Sequence, residues 1–359
     1  MNSVTFIFPH PVAGPTGGYK VVYEYANRFA KDGWEVYVVY SGSIFWRDKP
    51  IRLKITNILR IIEHKIKGFG CRKWFPLYKE VKEILTMSMN YRHMPKSDFY
   101  MATSPYTAFY LKDYPIEDSR KFYLIQDYEN WGPGLEQLLE PTYKANLKKI
   151  VISKWLQKML KDKYHEDSVL IPNGFDFNKF TLDIPFEEKD PNCISMLYHH
   201  MDRKDCSTGF KALDIVKQNI PQLRVKIFGV PEKPDLPDWY EYYRMPNQEL
   251  HNRINNEAAI FIGTSKTEGW GLTVGEAMIC GQAVCCTDND GYREMAVDNE
   301  TALISPVGDA DAMAKNILKL INNPSLRMTI AKKGNAFIKR FQWDSSYQML
   351  KKHILQVNG

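Results

Sequence analysis

The sequence lacks the features that would take it across a membrane or cross-link it. No apolar run approaches the roughly 20 residues that span a bilayer. The apolar opening Ser3–Phe8 has neither a basic n-region nor a small-residue cleavage site, so it reads as a strand and predicts a cytoplasmic chain. Six cysteines include no C-x-x-C pair, which argues against a disulfide framework or a structural zinc site and for reduced, buried thiols. Nothing reads G-x4-G-K-[S/T], so a Walker loop is excluded. Short repeats, low-complexity tracts and RNP-type basic-aromatic modules are missing too, and no nucleic-acid partner is expected.

What is present is an ordinary globular composition. The 359 residues are 44% hydrophobic and 25% charged, a balance that fits about two domains. Val4–Phe8, the loop Gly14–Gly18, a helical pattern through Val21, Val22, Tyr25, Ala26 and Phe29, and Val36–Tyr40 form one β-α-β unit. Strand-like runs return at Phe99–Ala102, Phe122–Ile125 and Ile150–Ile152. A second alternating set follows Pro172-Asn173-Gly174. Its strands are expected at Ile194–Tyr198, Val225–Phe228, Ala259–Ile262, Ala283–Cys286 and Ala302–Ile304, with helices between. The charged stretch Asp183–Asn192 reads as a surface connection. Two parallel sheets in tandem place ligands in loops beyond the strand C-termini, here in a crevice between domains.

Thr267–Met278 is the most informative such segment. It follows the strand Ala259–Ile262 and enters a helix, with Gly269 and Gly271 in its turn. A helix start presents free N–H groups and the positive end of a dipole, which suits phosphate. Glu268 and Glu276 flank the turn; ionised carboxylates only accept hydrogen bonds and so suit sugar and ribose hydroxyls. Taken alone, two glutamates at this spacing fit chance or helix capping as well.

Glu268–Glu276 resembles the E-x7-E signature of the retaining family 4 glycosyltransferases, which have the GT-B fold. Glu276-Ala277-Met278 with Gly281 and Val284, Thr287-Asp288 with Gly291 and Glu294, and Ile171-Pro172-Asn173-Gly174-Phe175-Asp176 with Phe180 are similar to further landmarks of that family, in its order. Gly17-Gly18 resembles its donor-side glycine loop. The resemblance implies an α/β chain of two Rossmann-like domains whose parallel sheets face across a cleft. Residues 1–170 would form the acceptor-side domain and 171–340 the nucleotide-sugar domain, with 341–359 a helix returning to the first domain. It also implies roles. Glu276 would bind the ribose, Glu268 a hydroxyl of the donor sugar, and Gly269, Trp270, Gly271 and Leu272 would face sugar and diphosphate through their amides. The family's diphosphate-neutralising Arg and Lys fall here on His199 and Lys204; Arg203 is placed to supply the missing charge. A solvated loop is the alternative for Arg203-Lys204.

The first domain departs further. Where the family often has a histidine after the strand Phe122–Ile125, this chain has Gln126, then Asp127-Tyr128-Glu129-Asn130-Trp131. Asp127 becomes a candidate contact to donor or acceptor. Tyr128 and Trp131 are candidates to stack on an acceptor sugar, or else aromatic anchors of a surface turn. The Q-D-Y-E stretch is similar to a bacterial and archaeal rhamnosyltransferase-like subgroup. Asp288-Asn289-Asp290 and Asp309-Ala310-Asp311 fit the D-x-D metal motif, but Asp309 reads better as a helix cap, and the resemblance implies neither metal nor cofactor. The substrate would be a nucleoside-diphosphate sugar (UDP, GDP or dTDP), and the acceptor a glycan or lipid-linked hydroxyl. A nucleotide-sugar epimerase or hydrolase and a non-catalytic sugar- or membrane-binding partner remain alternatives.

One stretch lies outside this pattern. Between Ile44 and Phe75, nine cations (Arg47, Lys49, Arg52, Lys54, Arg60, Lys65, Lys67, Arg72 and Lys73) meet only Asp48 and Glu63, a local net charge of +7 in a chain of +6. Ile51, Ile55, Ile58, Leu59, Ile62, Ile66 and Phe69 share one helical face. Residues 44–75 therefore read either as a basic amphipathic helix for an anionic membrane, on the inner face of the cell membrane, or as a core helix with a solvated side.

Overall fold

The computed structural model describes residues 1–42, 58, 59, 61–63, 66, 68–130 and 134–356. Two compact units make up the chain: residues 1–173 with 344–359, and residues 174–343.

The first unit is a seven-stranded parallel sheet of β1 (Ser3–Phe8), β2 (Glu35–Ser41), β3 (Lys82–Thr86), β4 (Phe99–Ala102), β5 (Lys121–Ile125), β6 (Lys148–Val151) and β7 (Val169–Leu170), in the order β3-β2-β1-β4-β5-β6-β7. All six residues of β1 and all five of β5 are buried, as expected for parallel strands covered on both faces. Helix α1 (Gly17–Lys31) crosses from β1 to β2. Arg28 and Lys31 in its last turn complement the helix dipole, and Gly33, at φ +77°, turns the chain into β2. Helices α2 (Pro105–Leu111), α3 (Glu136–Tyr143) and α4 (Lys154–Met159) follow in the later crossovers.

The second unit repeats the scheme with six parallel strands: β8 (Asp190–Tyr198), β9 (Arg224–Gly229), β10 (Tyr240–Arg244), β11 (Ala258–Gly263), β12 (Ala283–Thr287) and β13 (Ala302–Ser305), ordered β10-β9-β8-β11-β12-β13. Helices α5 (Cys206–Asn219), α6 (Gln248–Glu257), α7 (Leu272–Ile279), α8 (Ala310–Asn322) and α9 (Pro324–Ile338) alternate with the strands. Ile194, Met196, Val225, Ile227, Ile260 and Ile262 from the sheet meet Leu213, Val216, Ile317 and Leu320 from the helices in one core. Asp309 caps α8, its carboxylate accepting from the Ala312 N–H at 2.9 Å. Helix α10 (Trp343–Gln356) follows; Tyr347 and Lys351 bond Asp32 at 2.6 and 2.7 Å, within the first unit.

Two expectations need correction. Asp183–Asn192 is not wholly a surface connection. Asp190–Asn192 open β8, and Lys189 is buried with its Nζ donating to the Asn256 carbonyl at 2.5 Å. In the basic stretch, Arg47, Lys49, Arg52, Lys54, Arg60, Lys65 and Lys67 lie outside the described residues. Among those described, Ile58, Leu59, Ile62 and Ile66 are exposed, Ile66 to 79%, while Ile61, which belongs to the other face of the pattern, is buried. Phe69 of the same face is half-buried, its ring edge-on to that of Tyr40 at 6.1 Å, and Ile51 and Ile55 lie outside the described residues. Arg72 is held structurally, paired with Glu83 at 2.9 Å and donating to the carbonyls of Leu77, Tyr78 and Val81.

Candidate active site

In the second unit the chain order reverses between β8 and β11. Crossovers leave these neighbours in opposite directions, and a crevice opens beyond their C-terminal ends. Lys204 lies in the loop after β8 and Glu268 in the loop after β11. The two loops are stitched together: Lys266 N–H donates to the Arg203 carbonyl at 2.8 Å, Thr264 Oγ1 to the Lys204 carbonyl at 2.7 Å, and Lys266 Nζ to Asp202 at 2.8 Å.

The stitched loops bring the side chains into one cluster. Lys204 Nζ donates to Glu268 Oε1 at 2.5 Å, and Ser265 Oγ donates to the same oxygen at 2.7 Å. Both ion-pair partners are largely buried, the side chains 15% and 11% exposed. Burial alone would raise the Glu268 pKa; the charge and hydrogen bond of Lys204, the charge of Arg203 and the Ser265 hydroxyl overcome it and hold the carboxyl below its ordinary range. Lys204, Ser265, Thr273 and Tyr292 line a small cavity at this end of β8 and β11.

Helix α7 starts beside it. Gly271 is its cap residue at φ +90°, a left-handed conformation, and a Cβ there would fall 2.6 Å from the Tyr292 ring. The cap glycine has no side chain to accept from the first N–H groups and the first turn has no acid, so neither neutralises the positive end of the helix. Glu276 lies buried in α7. The Trp270 indole is buried edge-on to Phe341 at 5.1 Å, so this residue offers a ligand its backbone rather than its ring.

His199 does not replace the missing cation. Its Nδ1 accepts from the Met201 N–H at 3.1 Å, and burial, then the charges of His200, Lys204 and Arg203, push its pKa down to about 4. It is neutral at physiological pH. Arg203 Nη1 donates to the Thr267 carbonyl at 3.3 Å, which directs the guanidinium to the loop of Glu268.

In the first unit, Gly17 and Gly18 open α1, and Gln126 follows β5. Gln126 Nε2 donates to the Gly18 carbonyl at 3.1 Å, leaving its buried Oε1 without a hydrogen-bond partner among the described residues. Asp127 Oδ1 accepts from the Tyr128 N–H at 2.9 Å. Lys163 Nζ donates to the Tyr128 hydroxyl, which also sits 3.3 Å from that of Tyr164. Trp131 lies outside the described residues.

Sequence reasoning missed Ser265, Asn289 and Tyr292. The only signal was that Asn289 and Tyr292 fall inside the Thr287–Glu294 stretch. Asp288 of that stretch, a D-x-D candidate, pairs with Arg293.

The second unit is also similar in sequence to known proteins. Residues 181–337 match the family model "Glycosyl transferases group 1". The chain is 25% identical over 208 residues to an uncharacterized glycosyltransferase of Methanocaldococcus jannaschii, covering 56% of this chain and 58% of that one. It is 22% identical over 218 residues to the phosphatidyl-myo-inositol mannosyltransferase of Mycolicibacterium smegmatis, covering 57% and 56%. The chain thus spans just over half the length of these relatives. Among solved structures, the sucrose-phosphate synthase of Thermosynechococcus elongatus superposes with a TM-score of 0.72 at 16% identity over 99% of both chains. HepE of Anabaena, in complex with UDP and glucose, does so with 0.72 at 14% identity over 99% and 100%. The fold is that of the GT-B glycosyltransferases.

Proposed function

We propose that the chain is a retaining, E-x7-E glycosyltransferase of family 4 that moves a sugar from a nucleoside-diphosphate sugar to a hydroxyl. The observation that carries this is the cluster at β8 and β11: an ionised Glu268 held by Lys204 and Ser265, next to the uncapped start of α7. A carboxylate of this kind accepts from sugar hydroxyls. Lys204 has three N–H donors and gives one to Glu268; the others, with the helix start, would stabilise charge growing on the departing diphosphate. Glu276 would take the ribose hydroxyls. Lys204, Arg203 and the helix end supply positive charge without a metal, so EDTA should leave turnover unchanged; loss of turnover on chelation would replace the metal-free route.

The acceptor belongs to a lipid-linked or cell-surface glycan, reached by peripheral docking of residues 44–75 on the anionic inner face of the membrane. The exposed Ile58, Leu59, Ile62 and Ile66 support this, as do the local charge of +7 and the lipid named for the mycobacterial relative. Each cation reaching an anionic surface contributes about 1 kcal/mol. Changing Arg52, Lys54, Arg60 and Lys67 to Gln should lower sedimentation with phosphatidylglycerol vesicles at low salt while sparing turnover on a short soluble acceptor. Equal sedimentation would remove the membrane from the proposal.

Turnover of UDP-, GDP- and dTDP-sugars tests the reaction itself. The glycoside formed should keep the donor's anomeric configuration by NMR. An inverted product would contradict retention. Free sugar or an isomerised nucleotide sugar, formed without acceptor, would make the enzyme a hydrolase or epimerase.

A further inference from the structure

The hydrogen bonds that set the Glu268 carboxylate extend one residue further, to a tyrosine from the neighbouring strand's loop. Tyr292 Oη donates to Ser265 Oγ at 3.1 Å. A serine hydroxyl has a single proton. With the tyrosine donating into its oxygen, that proton is directed at Glu268 Oε1, 2.7 Å away. The Ser265 backbone is pinned as well: its carbonyl accepts from Thr287 Oγ1 at 2.6 Å and from Asn289 Nδ2 at 2.9 Å, and Asn289 Oδ1 accepts from the Tyr292 N–H at 3.0 Å. The tyrosine ring is fixed against bare backbone. A Cβ on Gly271 would fall 2.6 Å from it and one on Gly263 3.1 Å.

The consequence falls on the carboxylate. Lys204 and Ser265 both bond Oε1, and no described residue hydrogen-bonds Oε2. The anion is anchored through one oxygen and presents the other. We propose that Tyr292 is a positioning residue which, through Ser265, holds Glu268 with Oε2 ready for a substrate hydroxyl; this rests on Glu268 being the sugar-binding carboxylate of the transfer reaction. The charged and titratable groups facing Glu268 are Lys204 and Arg203 from the loop after β8, neutral His199 at the end of β8, and Tyr292 itself. Burial, reinforced by the nearby Glu268 charge, keeps the tyrosine protonated well past its ordinary pKa, so it is a donor throughout the working pH range.

Tyr292→Phe tests this, because it keeps the ring between the two glycines and removes only the hydroxyl. Turnover number should fall about tenfold, the scale of one net hydrogen bond, with nucleoside-diphosphate affinity little changed. Glu268 loses part of a stabilising bond, so its pKa rises and the acid limb of kcat/KM moves to higher pH. Ser265→Ala should move both readouts further in the same direction. Adding Tyr292→Phe to Ser265→Ala should change nothing more, since the tyrosine acts only through the serine. The Glu268 titration followed by carboxyl-13C NMR, assigned with Glu268→Gln, gives the same answer without substrate. A shifted titration in a protein that turns over no nucleotide sugar would support the positioning role and defeat the transferase reading. Turnover with an unmoved titration and acid limb in Tyr292→Phe would overturn the positioning role, as would a lowered melting temperature with an unmoved titration.

Discussion

The two units present different chemistry at the ends of their strands. In the second, the loops after β8 and β11 bring Lys204, Arg203, Glu268, Ser265 and Tyr292 into a largely buried, charged cluster beside a helix start. In the first, the start of α1 and the loop after β5 meet through a neutral amide, Gln126 to the Gly18 carbonyl, and Asp127 accepts from the N–H of the next residue. A charged, fixed cluster suits a ligand part that is itself charged and constant, such as a diphosphate and the sugar attached to it. At Gly18 and Gln126 the first unit has an amide-to-carbonyl bond in place of an ion pair. The family model follows the same division, covering residues 181–337 and none of the first unit.

The largest effect should come from Lys204→Ala. Removing one partner of a buried pair leaves a carboxylate uncompensated, at a cost of about 3–5 kcal/mol when fully buried and less here, where both side chains keep some exposure. Turnover should fall by about 10²–10³, the scale for losing one transition-state donor, and by more than KM rises. A pure KM effect would make Lys204 a ground-state binding residue. Gln126→Leu, which cuts the amide bond of the first unit, should cost about 0.5–1.5 kcal/mol in kcat/KM. If it costs as much as Lys204→Ala, the contrast between the units fails.

The smallest effect concerns stability and has a definite sign. His199 titrates at about 4 in the folded chain against an ordinary 6.5. The unfolded chain therefore binds this proton first as pH falls, and the stability that the neutral ring permits above 6.5 is progressively lost toward pH 4. His199→Gln should flatten the fall of melting temperature over that window. Identical slopes would show that the ring is not held neutral.

The alternating strands and helices of both units were legible because central parallel strands are apolar runs. The strands that escaped were β3, β7 and β10, all at sheet edges. Lys82–Thr86 and Tyr240–Arg244 show water one side and carry Lys, Glu and Arg there, so no apolar run marks them. In the site, Glu268, Glu276 and Lys204 stood out through spacing and resemblance. Ser265 and Tyr292, 27 positions apart, meet only because β11 and β12 run side by side, with Gly263 opposite Cys286. No local pattern encodes that pairing. His199 was visible as a missing cation, but its neutrality comes from burial and neighbouring charge, which exist only in the fold.

Calorimetric titration of the parent and Glu276→Ala with UDP, GDP and dTDP tests the central claim most directly. One of the three should bind the parent one to one, and Glu276→Ala, still folded, should bind it more weakly by about 1.5–3 kcal/mol, the value of a hydrogen bond to a charged group. Binding of none of the three, or equal affinity in parent and variant, would contradict a nucleoside-diphosphate site in the second unit.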